Sequence, residues 1–113
     1  MKRDINLLLG DILQSIEKIK AYTENVSEEK FSSDSKTQDA VMRRLEVIGE
    51  ATKNIPDSFR AQYYDIDWKR IAGMRDILIH AYFGVNVERL WVVLQRELPI
   101  LEHQIREILK EKK

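Results

Sequence analysis

Apolar residues recur along this chain mainly at three- and four-residue steps, the spacing that collects side chains on one face of a helix. From Asp4 to about Tyr22 the apolar positions are Ile5, Leu8, Leu9, Ile12, Ile16 and Ile19, with charges between them. Gly10 lies on this first helix at a cost of ~1 kcal/mol relative to alanine, so a neighbour packed close to it is expected. Thr23 to Asp34 is polar and reads as a connector, in which Ser27-Glu28-Glu29 start a short turn and Phe31 ties it down. A second stripe, Val41, Leu45, Ile48 and Thr52, runs through a helix capped by Ser35 or Thr37 and ended by Asn54 and Pro56. Arg43, Arg44, Glu46 and Glu50 lie largely off that stripe and read as a solvated or interface-facing side.

After Pro56, aromatics mix with polar residues, which predicts one short turn of helix with Tyr63 and Tyr64 as packing residues. Asp67 is placed to cap a central helix from Trp68 to Phe83 that fades at Gly84. Asn86 then caps a last helix whose stripe is Val87, Leu90, Leu94, Leu98, Leu101, Ile105 and Ile108. Pro99 falls inside it and predicts a kink, because it removes one hydrogen bond and crowds the preceding turn. The pattern predicts a single all-α domain over residues 1–113. Its fold is an antiparallel up-and-down four-helix bundle with one or two short extra helical turns.

Composition narrows the chemistry. Lysine plus arginine and aspartate plus glutamate both number 19, so any basic surface has to come from clustering or from pairing of chains. There is no cysteine, which removes disulfides, thiolate metal sites and thiol nucleophiles, and is compatible with the cytoplasm. The start of the chain does not resemble a signal peptide, and no apolar stretch approaches the ~20 residues a membrane span needs, so no membrane is expected. The two histidines, His80 and His103, have no carboxylate at metal-binding spacing, and neither a metal nor a cofactor is predicted. His103, on a charged helix flank, reads as a surface residue.

The central helix is different. With Arg75 set at zero and about 100° per residue, Asp76 falls near 100° and His80 near 140°. The three polar groups share one edge of a helix that is apolar on more than one side. An uncompensated buried charge costs about 3–5 kcal/mol, so these groups pair with one another, line a cleft, or do both. Asp76 and His80 stand at the i, i+4 separation that lets a carboxylate meet an imidazole, favouring its charged form and fixing its tautomer. Arg75 adds a planar fork suited to phosphate oxygens. The set fits phosphodiester cleavage, although spacing alone favours a satisfied buried polar network.

The order Arg75, four residues, His80, one residue, Tyr82 resembles the signature of the HEPN superfamily of helical ribonucleases, including Asp76 directly after the arginine. More narrowly, RRLEVIGEA on the second helix, WKRIAGMRD opening the third and HAYFGVN closing it are similar to the HepT family, toxins of HepT/MntA toxin–antitoxin systems. The similarity runs from about Asp4 to about Ile108.

The resemblance implies a homodimer in which the signature helices face each other, supplying two copies of His80 where a 2′-hydroxyl attack needs both a base and an acid. It implies a metal-independent endoribonuclease: His80 moves protons, Arg75 stabilises the phosphate and Asp76 orients His80. Lys69 and Arg70 join Arg75 in binding RNA. It also implies a partner, a minimal nucleotidyltransferase antitoxin resembling MntA, which attaches AMP to Tyr82. The rival expectation is a non-catalytic helical module that dimerises and binds such a nucleotidyltransferase. Zero net charge favours the module, and the complete Arg75/His80/Tyr82 set favours the enzyme.

Overall fold

The computed structural model describes residues 4–74 and 87–111, which are helical with turns between the helices. Helix α1 spans Ile5–Thr23 and is capped by Asp4, whose carboxylate accepts the Asn6 amide at 2.7 Å. Leu8, Leu9, Ile12, Ile16 and Ile19 are buried as the periodicity requires. Gly10 is a correction: it is exposed, and a Cβ built on it would meet nothing within 4 Å. Close packing does not explain it. The chain leaves α1 through Asn25, at φ 61°, a left-handed conformation that asparagine adopts more readily than most residues.

The connector folds as α2, Glu28–Ser33, with Ser27 Oγ accepting the Lys30 amide at 3.1 Å. Phe31 ties it down by full burial, its ring 5.2 Å from that of Trp91. Helix α3 spans Ser35–Lys53, and its cap is Asp34, where Ser35 or Thr37 was expected. The Asp34 carboxylate accepts from both the Thr37 amide, at 3.1 Å, and the Thr37 hydroxyl, at 2.6 Å. Thr37 thus serves as the cap's donor. The bond from its hydroxyl, followed by that from its amide, holds the Asp34 carboxyl below its ordinary pKa. Val41, Leu45, Ile48 and Thr52 are all buried, and the Thr52 hydroxyl is satisfied by the Ile48 carbonyl at 2.8 Å.

Two short helices turn the corner. They are α4, Asp57–Gln62, and α5, Trp68–Ala72. Arg60 of α4 seals the end of α3, donating to the carbonyl of Thr52 at 2.7 Å, which also accepts the Ile55 amide at 3.1 Å, and to that of Ile55 at 3.1 Å. Phe59 gathers Tyr63 at 4.9 Å and Trp68 at 6.4 Å between ring centres, and the Trp68 indole N–H donates to the Tyr63 carbonyl at 3.0 Å. Tyr63 therefore packs. Tyr64 does not: it is 87% exposed, contrary to the packing role expected from its sequence neighbourhood.

The last helix forms in three parts: α6, Val87–Val92, a π-helical turn, Val93–Glu97, and α7, Leu98–Glu111. In the π turn the Leu98 amide reaches back to the Val93 carbonyl, five residues earlier. A widened turn immediately before Pro99 answers the missing amide and the bulk of the ring, and a π turn is one recognised way for a helix to depart from regular geometry. Leu90, Leu94, Leu98, Leu101, Ile105 and Ile108 are buried along it.

Ion pairs fix the direction of α7 against α1. Glu17 meets Arg106 at 2.8 Å and Lys20 meets Glu102 at 3.2 Å, so the two helices run antiparallel. A single apolar core joins α1, α3 and the last helix with Phe59, Trp68, Ile71 and Met74 from the corner. The described residues form an all-helical bundle. No helix among the described residues is long and apolar enough to cross a membrane.

Candidate functional site

Helix α5 is the stem that leads to the signature. Asp67 caps it by accepting the Arg70 amide at 3.1 Å. Trp68 and Ile71 are buried on one side, which leaves Lys69 and Arg70 exposed on the other. The helix closes at Gly73, whose amide donates to the Lys69 carbonyl at 3.0 Å. A Cβ at Gly73 would stand 3.3 Å from the Lys69 carbonyl oxygen and 3.4 Å from that of Arg70, so this turn is tight for any side chain. Met74, the last described residue before the signature, is buried in the core.

Beside this stem lies a groove of about 180 Å³ between α5 and the last helix. Ile71, Met74 and Leu101 supply its apolar side, and Asp65, Arg70 and Glu97 its charged rim. Arg70 Nε donates to Glu97 Oε1 across the groove. That bond, the Glu97 charge and, more weakly, Asp67 raise the Arg70 pKa. Ile100 lines the same groove and is 61% exposed.

Of the predicted site residues, the described structure holds Lys69 and Arg70 together on the exposed side of α5. Arg70 is engaged by a carboxylate, which tempers the local basic potential expected of the pair. Arg75, Asp76, His80 and Tyr82 lie outside the described residues, as do Gly84 and Asn86. His103 is exposed on α7, as expected. Glu97 was missed by sequence reasoning. Its partner is 27 residues away, a separation that no helical period connects. Among the described residues, no group of three or more histidine, aspartate or glutamate side chains is placed to hold a metal ion.

The family profile described as Ribonuclease HepT-like matches residues 12–108. The chain belongs to the HepT-like ribonuclease family. Membership places this HepT-like chain among RNA-cleaving enzymes. A Thermococcus cleftensis protein named "Probable ribonuclease HepT" is 46% identical over 110 residues, covering 97% of this chain and 100% of the relative. A Methanocaldococcus jannaschii protein named "Gamma-glutamylcyclotransferase and putative RNase" is 46% identical over 111 residues, and there the chain spans half of the relative's length. A Caldanaerobacter subterraneus protein named "Putative RNase" is 46% identical over 105 residues, covering 93% of this chain and 94% of the relative. No solved structure matches the chain.

Proposed function

We propose that this HepT-like chain is a metal-independent endoribonuclease that cleaves RNA by attack of a 2′-hydroxyl on the adjacent phosphate, and that it serves as the toxin of a toxin–antitoxin pair. The observation that carries the reading is the end-to-end match to a relative named as a HepT ribonuclease, in a chain that holds Arg75, His80 and Tyr82 at the signature spacing. His80 takes the proton from the 2′-hydroxyl and, in a second copy across a homodimer cleft, returns one to the leaving 5′-oxygen. The products are a cyclic 2′,3′-phosphate and a free 5′-hydroxyl. Arg75 stabilises the charge that builds on the phosphate, and Asp76 orients the imidazole. Lys69, Arg70 and Arg75 contact the RNA backbone, and pairing two chains doubles that positive charge.

The antitoxin in this reading is a minimal nucleotidyltransferase that joins AMP to the Tyr82 hydroxyl, with pyrophosphate leaving ATP. The added phosphate puts negative charge where RNA must approach. The carboxylate already held by Arg70 favours a second reading, a non-catalytic helical dimerisation module that binds the same partner.

One set of proteins separates the two. The parent, His80→Ala and Arg75→Ala, each shown to be folded, are incubated with RNA in EDTA and the fragment ends are identified. Cyclic phosphate ends from the parent, lost in both variants, are the expected result. Intact RNA with a folded, unmodified parent, or undiminished cleavage by His80→Ala, overturns the catalytic reading. With the partner and ATP, the parent is expected to gain the mass of AMP; undiminished labelling of Tyr82→Phe rejects that site.

A further inference from the structure

Among the described residues, Arg70 is a candidate RNA contact whose guanidinium is engaged on a carboxylate, and the manner of engagement is informative. Glu97 accepts from Nε, on the inner edge of the guanidinium fork. The guanidinium has five N–H donors in one plane, so a carboxylate fixed at Nε leaves donors on the terminal amines to address a second anion in a set direction. The Arg70 side chain is 55% exposed, within reach of solvent, while Glu97 is only 25% exposed and is held against the groove wall. The half-buried partner anchors the accessible one.

The anchor's backbone is tied to the core. Glu97 is the last residue of the π turn, directly before Leu98, which is buried in the core. On the other side, Asp67 caps α5 at the Arg70 amide, and Ile71 is buried next to it. The backbones of Arg70 and of Glu97, whose carboxylate grips the Arg70 side chain, are thus both tied to the core. The chain between them, which carries Arg75 and His80 in sequence, begins and ends at this clasp.

We infer that Glu97 is a positioning residue for RNA cleavage, acting through Arg70, whose guanidinium it orients toward a phosphate of the bound RNA. This rests on the cleavage reading given above. The arrangement trades affinity for geometry. A carboxylate beside Arg70 weakens the pull on RNA, and in return the bound strand meets a fork that is already aligned, the kind of alignment whose loss by about 1 Å can cost on the order of 100-fold in rate.

The test splits kcat from KM. Glu97→Gln keeps the shape and removes the charge. It is expected to bind RNA as tightly as the parent or more tightly, with lower or unchanged KM, and to lose on the order of tenfold in kcat while keeping the parent's thermal midpoint. The charge swap Arg70→Glu/Glu97→Arg restores the clasp and is expected to recover part of kcat with a raised KM. Removal of an exposed carboxylate elsewhere, Glu50→Gln, leaves both constants unchanged.

Affinity for an all-2′-deoxy strand, which cannot be cut by this mechanism, gives an independent readout. Arg70→Ala is expected to weaken binding and to reduce the salt slope by about one. Parent-like kcat in Glu97→Gln, no recovery in the charge swap, or parent-like affinity in Arg70→Ala overturns the inference. His80→Ala, run alongside, reports separately on the cleavage reading: its undiminished activity would remove that mechanism whatever Glu97 does.

Discussion

The body of the bundle and its corner are held together in different ways. In the body, α1, α3 and the last helix meet along continuous apolar stripes, and Ile12, Ile16, Ile48 and Ile105 are fully buried without polar partners to satisfy. In the corner, α4 and α5 are only six and five residues long, too short to be stable alone, and directed bonds set the geometry of the few apolar side chains they bury: Arg60 to the end of α3, Trp68 to the Tyr63 carbonyl, Asp67 to the Arg70 amide. The body spreads its stability over many equivalent contacts, whereas the corner concentrates its geometry in a few. It is the corner that leads into Arg75.

That contrast is open to direct attack. Ile12→Ala should cost about 2–5 kcal/mol of unfolding free energy, measured by urea denaturation, because it opens a cavity in a sealed core. Trp68→Phe keeps an aromatic ring but removes the indole donor, leaving the Tyr63 carbonyl with the Ile66 amide alone, for a cost of about 0.5–1.5 kcal/mol. Activity should rank them in the reverse order below the unfolding transition: Trp68→Phe loses RNA cleavage, while Ile12→Ala, wherever it remains folded, retains it. If both variants lose activity only in proportion to stability, the distinction between body and corner is wrong.

The periodic parts of the fold were legible because burial repeats with the helix. The stripes of α1, α3 and the last helix follow directly from residue spacing, and so does Phe31 as the anchor of α2. Misreadings gather where one atom decides. Asp34 takes the cap because its carboxylate reaches both the amide and the hydroxyl of Thr37, although Ser35 and Thr37 have the same capping chemistry on paper. Tyr63 turns inward beside Phe59 and Tyr64 turns out, a choice that the identical neighbours do not encode. Pro99 announced an irregular helix but not its form, a π turn set N-terminal to the ring.

At the candidate site, the exposure of Lys69 and Arg70 was legible from their place on α5. The grip of Glu97 was not, since it depends on the path the chain takes between two residues 27 apart. For Arg75, Asp76, His80 and Tyr82, which lie outside the described residues, the reading rests on the family signature.

Gly10 sharpens the comparison on the body's side. With no neighbour within 4 Å of its missing Cβ, Gly10→Ala should stabilise the protein by about 1 kcal/mol, seen as a raised denaturation midpoint with an unchanged slope. A loss of stability would reveal a contact that the isolated chain does not make.

The smallest expected effect belongs to the ionic seam between α1 and α7. Burial pushes the Glu102 pKa up, but bonds from Arg106 and Lys20 outweigh it and leave the carboxyl below its ordinary value. A depressed carboxylate contributes stability above its unfolded pKa and loses it as pH falls through the folded value. Glu102→Gln should therefore be less stable than the parent near neutral pH by less than about 1 kcal/mol. The two should converge as the solution is acidified past the depressed Glu102 pKa, which equilibrium unfolding across pH checks.

The π turn before Pro99 amounts to a phase offset between two rods. A regular α-helix advances about 100° with each residue, so a turn that accommodates one extra residue dials everything on its N-terminal side around relative to everything beyond it. On one rod sits Trp91, against Phe31; at the junction sits Glu97, against Arg70. The angle between those two seats is thus written into the count of residues from Val93 to Glu97, and substitutions there are free to alter side chains while the count itself is constrained.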